Sequence, residues 1–174
     1  MAVTVLELQI ALNAFGQERE AFMNLLAAPM DAGRLLKAKA TSALLPATPA
    51  LALLTALVGV IAPIDPVSLI AAIPLGFTLL VAVASMELAV GVKYAVFTSD
   101  GRSRFVTQEG TIIGLLLCVA TVGASLSPLA LHYTLGYVDA PIAYILTLAL
   151  TLIIAGVCLM IARVELEKLY EYDY

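Results

Sequence analysis

The chain has 174 residues, of which 62% are hydrophobic and only 13% are Asp, Glu, Lys or Arg. A soluble domain carries about 25% charged residues, so the composition excludes an ordinary soluble enzyme and points to a compact bundle in a membrane. The net charge of −4 comes with no basic stripe of the kind nucleic acid requires, and one His and two Cys make no zinc site.

Residues 1–15 read as a helix, apolar but interrupted by Glu7, Gln9 and Asn13. Fifteen residues are too few to cross a bilayer, which takes about 20. The segment is either an interfacial helix lying on the membrane or the inner end of a span. Its first residues, MAVTVLELQI, have no basic n-region and no cleavage site, so they are not a secretory signal. Gly16 marks a break. Residues 17–28 (QEREAFMNLLAA) form a short amphipathic helix, with Glu18 and Glu20 in its first turn and Phe22, Leu25 and Leu26 on one face. Acids suit the positive end of the helix dipole. Pro29 closes the helix. Asp31 is a candidate N-cap for a second helix that runs through Arg34, Lys37 and Lys39 into the first span.

Four charge-poor stretches are long enough to cross: about 40–62, 67–92, 111–135 and 140–163. Spans this long are helices, because each must satisfy its own backbone in lipid. The first contains Pro46 and Pro49, whose freed carbonyls Thr41 and Ser42 are close enough to serve. Pro63 and Pro66 mark a tight hairpin. Residues 94–110 form a loop with a Ser99-Asp100-Gly101 turn, and Tyr94 and Phe105 suit an interface. The third span pairs Gly110 with Gly114 and Gly123 with Ser127, spacings that allow close helix approach. Its end near Pro128 leads to a cluster of His132, Tyr133, Tyr137, Asp139 and Tyr144. Residues 164–174 read as a short, solvated helical tail. Cys118 and Cys158 fall at similar depth in the third and fourth spans and read as small buried hydrophobes.

Glu87 is the one acid inside an apolar run. Its place roughly 30 Å along the second span puts it near the inner interface. An interfacial or packing role, with water or a loop cation to satisfy it, stands beside a conformational or coupling role. No nucleophile–base pair, phosphate loop or metal-ligand spacing appears, so no catalytic residue, cofactor or metal is expected in this chain.

All nine Lys and Arg residues precede the first span, lie between the second and third, or follow the fourth. Cytoplasmic segments collect Lys and Arg, so both termini are expected in the cytoplasm of a multi-pass cell-membrane protein. On residues alone the amphipathic helix 17–28 can rest on lipid or dock a cytosolic partner.

The segment FGQEREAFMNLLAAPMDAGRLLKAK resembles the first cytoplasmic loop of type-2 ABC exporter permeases. The shared features are Glu18 and Glu20, Leu25-Leu26, Ala28-Pro29, Arg34, Leu35-Leu36 and Lys39. SDGRSRFVTQEGT is similar to a later cytoplasmic loop of some of these permeases. The resemblance implies an all-α polytopic domain over 1–174, with 17–39 as a cytoplasmic loop holding a coupling helix. Its docking residues would be Glu18, Glu20, Phe22, Leu25 and Leu26. It implies a separate cytosolic ATP-binding subunit as partner, and a pathway built by a homodimer or with a second permease. Such permeases usually have six spans. The expectation is that residues 1–15 are the inner end of span two, and that span one and most of span two are missing. The alternative is a complete four-helix membrane scaffold or assembly subunit without transport activity. A small proton-coupled transporter is less favoured, because the Lys and Arg bias is complete and the one membrane acid is peripheral.

Topology is directly testable. In a background lacking Cys118 and Cys158, a cysteine at Asp65 is expected to label from outside sealed cells and one at Ser103 is not; the reverse pattern would invert the orientation.

Overall fold

The computed structural model describes residues 10–18, 31–62, 65–96, 105–136 and 139–172. Four long helices dominate: α1 (Ala32–Ile61), α2 (Pro66–Tyr94), α3 (Gln108–Leu135) and α4 (Ala140–Tyr172). Each is long and apolar enough to cross a membrane. Among the described residues the only β pairing is a single antiparallel bridge between Ala95 and Val106, so the chain is an all-helical transmembrane bundle. The Lys and Arg residues of the helices cluster at one end, with Arg34, Lys37 and Lys39 opening α1, Lys93 closing α2 and Arg163 and Lys168 in the last turns of α4. This is called the basic end below; the opposite, with the 62–65 and 136–139 connections, is the hairpin end.

Local chemistry sets the helix ends. Asp65 caps α2, its carboxylate accepting from Ser68 N at 3.2 Å, with Pro66 in the first turn where no donor is needed. Thr107 caps α3 by accepting from Gly110 N at 3.1 Å, and Gly136 ends it in the left-handed conformation (φ 65°). Asp31 stands at the N-cap of α1, but its side chain makes no cap bond; its backbone carbonyl accepts from Arg34 N at 2.9 Å instead.

The prolines lie inside continuous helices. Pro128 removes the donor for the Ala124 carbonyl, and the Ser127 hydroxyl supplies one at 2.7 Å. In α1 the expectation fails: Thr41 and Ser42 donate to Lys37 and Lys39 carbonyls, not to the carbonyls of Ser42 and Leu45 that Pro46 and Pro49 leave free. A hydroxyl reaches back three or four residues along its own helix, so it serves a freed carbonyl only from the right position.

α2 is the hub. It packs most extensively on α4 and also contacts α1 and α3. From Leu80 to Val92 nearly every residue of α2 is buried, whereas its first turns are exposed. The fifth element at the basic end is residues 10–15, helical over 10–13. Ala11, Ala14 and Phe15 share a core with Leu35, Leu36, Leu88 and Leu166, and Leu12 packs with Val83, Met86, Val90 and Cys118. The segment therefore does not lie on lipid; it fills the space between α1 and α3 over the face of α2. Gly91 makes the approach possible, since a Cβ there would stand 2.5 Å from the Leu12 carbonyl oxygen.

Two other expectations change. Gly110 and Gly114 are buried against neighbours, but nothing lies within 4 Å of a Cβ at Gly123, so the second small-residue pair packs no helix. The segment after Arg163 is not a solvated tail: α4 continues unbroken, and Leu166 is fully buried against α1 and Phe15. Its exposed face carries the Arg163–Glu167 and Lys168–Glu165 ion pairs at 2.7 and 2.9 Å. Cys118 and Cys158 form no disulfide with each other and share one apolar cluster.

Alanine separates these glycines. The gain in helix propensity is about 1 kcal/mol at either site. Gly123→Ala is expected to stabilise the bundle by up to about that much, and Gly91→Ala to destabilise it by about 1–3 kcal/mol through overpacking, read from unfolding in detergent. A stabilised Gly91→Ala protein is the contrary result.

Candidate functional site

Of the residues expected to dock a partner, Glu20, Phe22, Leu25 and Leu26 lie outside the described residues. Glu18 ends a single 3-10 turn, Gly16–Glu18. What the structure defines is how the loop between Glu18 and Asp31 is rooted. On the near side, Gly16 abuts the backbone carbonyl of Phe105 so closely that any side chain there would collide with it. Phe105 belongs to the stem of the second basic-end loop. That stem is closed by two backbone hydrogen bonds, Val96 N to Phe105 O and Thr107 N to Tyr94 O, each 3.0 Å. Tyr94 also packs on Gly110, at the start of α3. The roots of the two loops are thus in direct contact.

Lys39 of α1 completes the anchor. Its ammonium donates to the Ala14 carbonyl at 2.8 Å and lies 5.8 Å from the centre of the Phe15 ring. A cation at the end of a short helix satisfies a carbonyl left without an internal donor. The sequence places Lys39 only at the opening of the first span; in the structure it holds the 10–15 segment. Nothing in its spacing signals that role, because the acceptor is backbone from 25 positions away.

Glu87 departs further from expectation. It lies 21 residues into α2, at the depth the sequence indicates, but among the described residues no cation pairs with it. The residue is 0% exposed, and neither carboxyl oxygen has a hydrogen-bond partner. Its Oε2 fills the space left by Gly114, 2.9 Å from where a Cβ would stand, with Leu12 Cδ1 3.3 Å from the same point. The carboxyl is therefore enclosed by α2, α3 and the 10–15 segment. An unpaired charge in such a place carries a penalty of several kcal/mol.

Sequence reasoning missed a second polar feature. Thr121 and Ser125 of α3 and Thr147 and Thr151 of α4 are buried. Thr151 donates to the Thr147 carbonyl at 2.6 Å, whereas Ser125 Oγ and Thr147 Oγ1 have no partner. The available signal was spacing: Gly114, Cys118, Thr121 and Ser125 recur at helical intervals in a Leu-rich span. Towards the hairpin end the three helices α2, α3 and α4 part around a cavity of about 640 Å³, lined by apolar residues with Ser68, His132, Tyr133 and Tyr144. The Tyr144 hydroxyl donates to the Ala71 carbonyl at 2.9 Å, tying α4 to α2 at its wall. His132 and Tyr133 meet edge-on with ring centres 4.9 Å apart; Tyr137 lies outside the described residues. Among the described residues no group of three His, Cys, Asp or Glu side chains is placed to hold a metal.

The chain matches no family model, no curated protein and no solved structure.

The anchor can be tested apart from any activity. Lys39→Met removes a charged hydrogen bond worth about 1.5–3 kcal/mol. Hydrogen exchange at residues 11–16 is expected to rise accordingly, while the centre of α4 is unchanged. Unaltered protection would mean that Lys39 is not what holds the segment.

Proposed function

We propose that this chain is the membrane-spanning subunit of an ATP-driven ABC exporter, with its basic end in the cytoplasm and a separate ATPase docked on the 17–31 loop. The observation that carries the reading is the rooting of that loop. Residues 10–15 are wedged between α1, α2, α3 and α4, and Gly16 bears on the stem of the second loop. Force applied to the loop is thereby delivered to the hub helix α2 and to the start of α3, rather than dissipated in a flexible tether. The complete Lys and Arg asymmetry supports a cytoplasmic basic end. The amphipathic Phe22, Leu25, Leu26 face supplies apolar anchors of the kind that dominate binding energy.

In this mechanism the chain hydrolyses nothing. Closure of the ATPase pushes on the loop, the wedge shifts against α2, and the helices tilt as rigid bodies. The hairpin end, where α2, α3 and α4 already part, is where such tilting would open the bundle. A pathway would be completed by a second copy or a second permease.

Replacing both Leu25 and Leu26 with Ser is expected to release the ATPase on purification while the chain stays in the membrane. Equal recovery of the ATPase with folded wild type and double variant would refute docking at this face, and failure to recover any ATPase with wild type would favour a four-helix scaffold.

A further inference from the structure

We propose that Glu87 is a proton-binding site, loaded from the hairpin end through the hydroxyl-bearing seam between α3 and α4. The proposal does not depend on the ATPase reading, because it rests on a different part of the molecule.

The carboxyl itself is the first ground. It is wholly buried with both oxygens unbonded, and a buried polar group in that condition calls for a ligand. Among the described residues no group supplies a counter-ion. From α1, Lys39 is bonded to the Ala14 carbonyl. From α2, Lys93 is exposed and lies over the Tyr94 ring. From α4, Arg163 is exposed and paired with Glu167. The titratable groups nearest along the packing are thiols, Cys118 of α3 and Cys158 of α4, which share the cluster of Leu12 and Met86. Residues 10–17 contribute no titratable side chain.

The second ground is the space. Oε2 is held against Gly114 and Leu12, and the site offers one carboxyl. Hard metal cations take about six or more oxygen ligands. A proton needs one oxygen and no added volume. Binding converts the carboxylate to the carboxylic acid with no electron transfer, the proton coming from water in the hairpin-end cavity and returning to water on release.

The third ground is the route. The face of α3 that presents Gly114 to Glu87 continues through Cys118, Thr121 and Ser125 to His132, which lines the 640 Å³ cavity. Ser125 lies ten residues from the hairpin end of α3, and Thr147 and Thr151 lie seven and eleven from that of α4, so at 1.5 Å per residue these hydroxyls are spread over depths of about 10 to 17 Å, between the cavity and Glu87, which lies 21 residues from the hairpin end of α2. Ser125 Oγ and Thr147 Oγ1 are two more of the buried atoms without a partner. Hydroxyls both donate and accept, as proton transfer between cavity and carboxyl requires.

The test is infrared spectroscopy of the chain in lipid nanodiscs as pH is varied. A carboxylic-acid C=O band that titrates, and that is lost completely in Glu87→Gln, is expected. Absence of a titrating band assignable to Glu87 overturns the proposal. Should Glu87→Gln fail to fold, reaction of the wild-type chain with a lipophilic carbodiimide gives an independent answer: the label is expected at Glu87, falling as pH rises, and a wild-type chain unlabelled there at every pH is the negative. For the route, Ser125→Ala with Thr147→Val is expected to slow deuterium exchange of the Glu87 band several-fold. Unchanged exchange would remove the seam from the proposal.

Discussion

Enclosure of one half of one helix governs this molecule. Between Leu80 and Val92, α2 is buried on nearly every side, and every other element is placed by contact with it. Lipid gives no hydrophobic drive for helix association, so close packing must supply it. The sequence AVASMELAVGV over residues 82–92 is suited to that task. Its small residues let α4, α1 and the 10–15 segment approach, and Gly91 lets a backbone carbonyl come into contact.

The same enclosure produces the asymmetry between the two ends. At the basic end five elements converge and the loops are stapled together through Gly16, Phe105, Lys39 and Ala14. Among the described residues, nothing at the hairpin end takes the place of the 10–15 segment. The first turns of α2 are exposed, and α2, α3 and α4 diverge around a cavity. A bundle tight at one end and loose at the other moves most easily by pivoting about the tight end. That geometry suits a device driven from the loops of the basic end.

Polar groups in the bundle divide by their degree of satisfaction. Most Ser and Thr hydroxyls bond carbonyls of their own helix, as Ser85 does to Val81 at 2.6 Å and Thr55 to Leu51 at 2.8 Å, and are thereby neutral passengers. Glu87, Ser125 and Thr147 are not. They lie on mutually packed helices, and two of the three occupy the seam between the cavity and the carboxyl. Leaving such groups bare costs stability, which sets them apart from the general scatter of hydroxyls.

How much was legible in the sequence follows from which forces are local. The four spans and the segregation of Lys and Arg were legible in the sequence alone, and the caps at Asp65 and Thr107 and the stop at Gly136, though not read there, are equally local. Each depends on hydropathy, on side-chain chemistry within a few residues, or on charge counted along the chain. Depth was legible too, because 1.5 Å per residue converts position into height. Azimuth was not. Whether Glu87 faces water or a neighbour, whether Leu166 is tail or core, and whether Gly114 or Gly123 meets a helix depends on which elements surround each face. Nearly uniform apolar spans carry almost no amphipathic signal to reveal this. The tertiary structure alone decided it, by inserting residues 10–15 beside α2 and so turning a carboxyl at interface depth into an enclosed one.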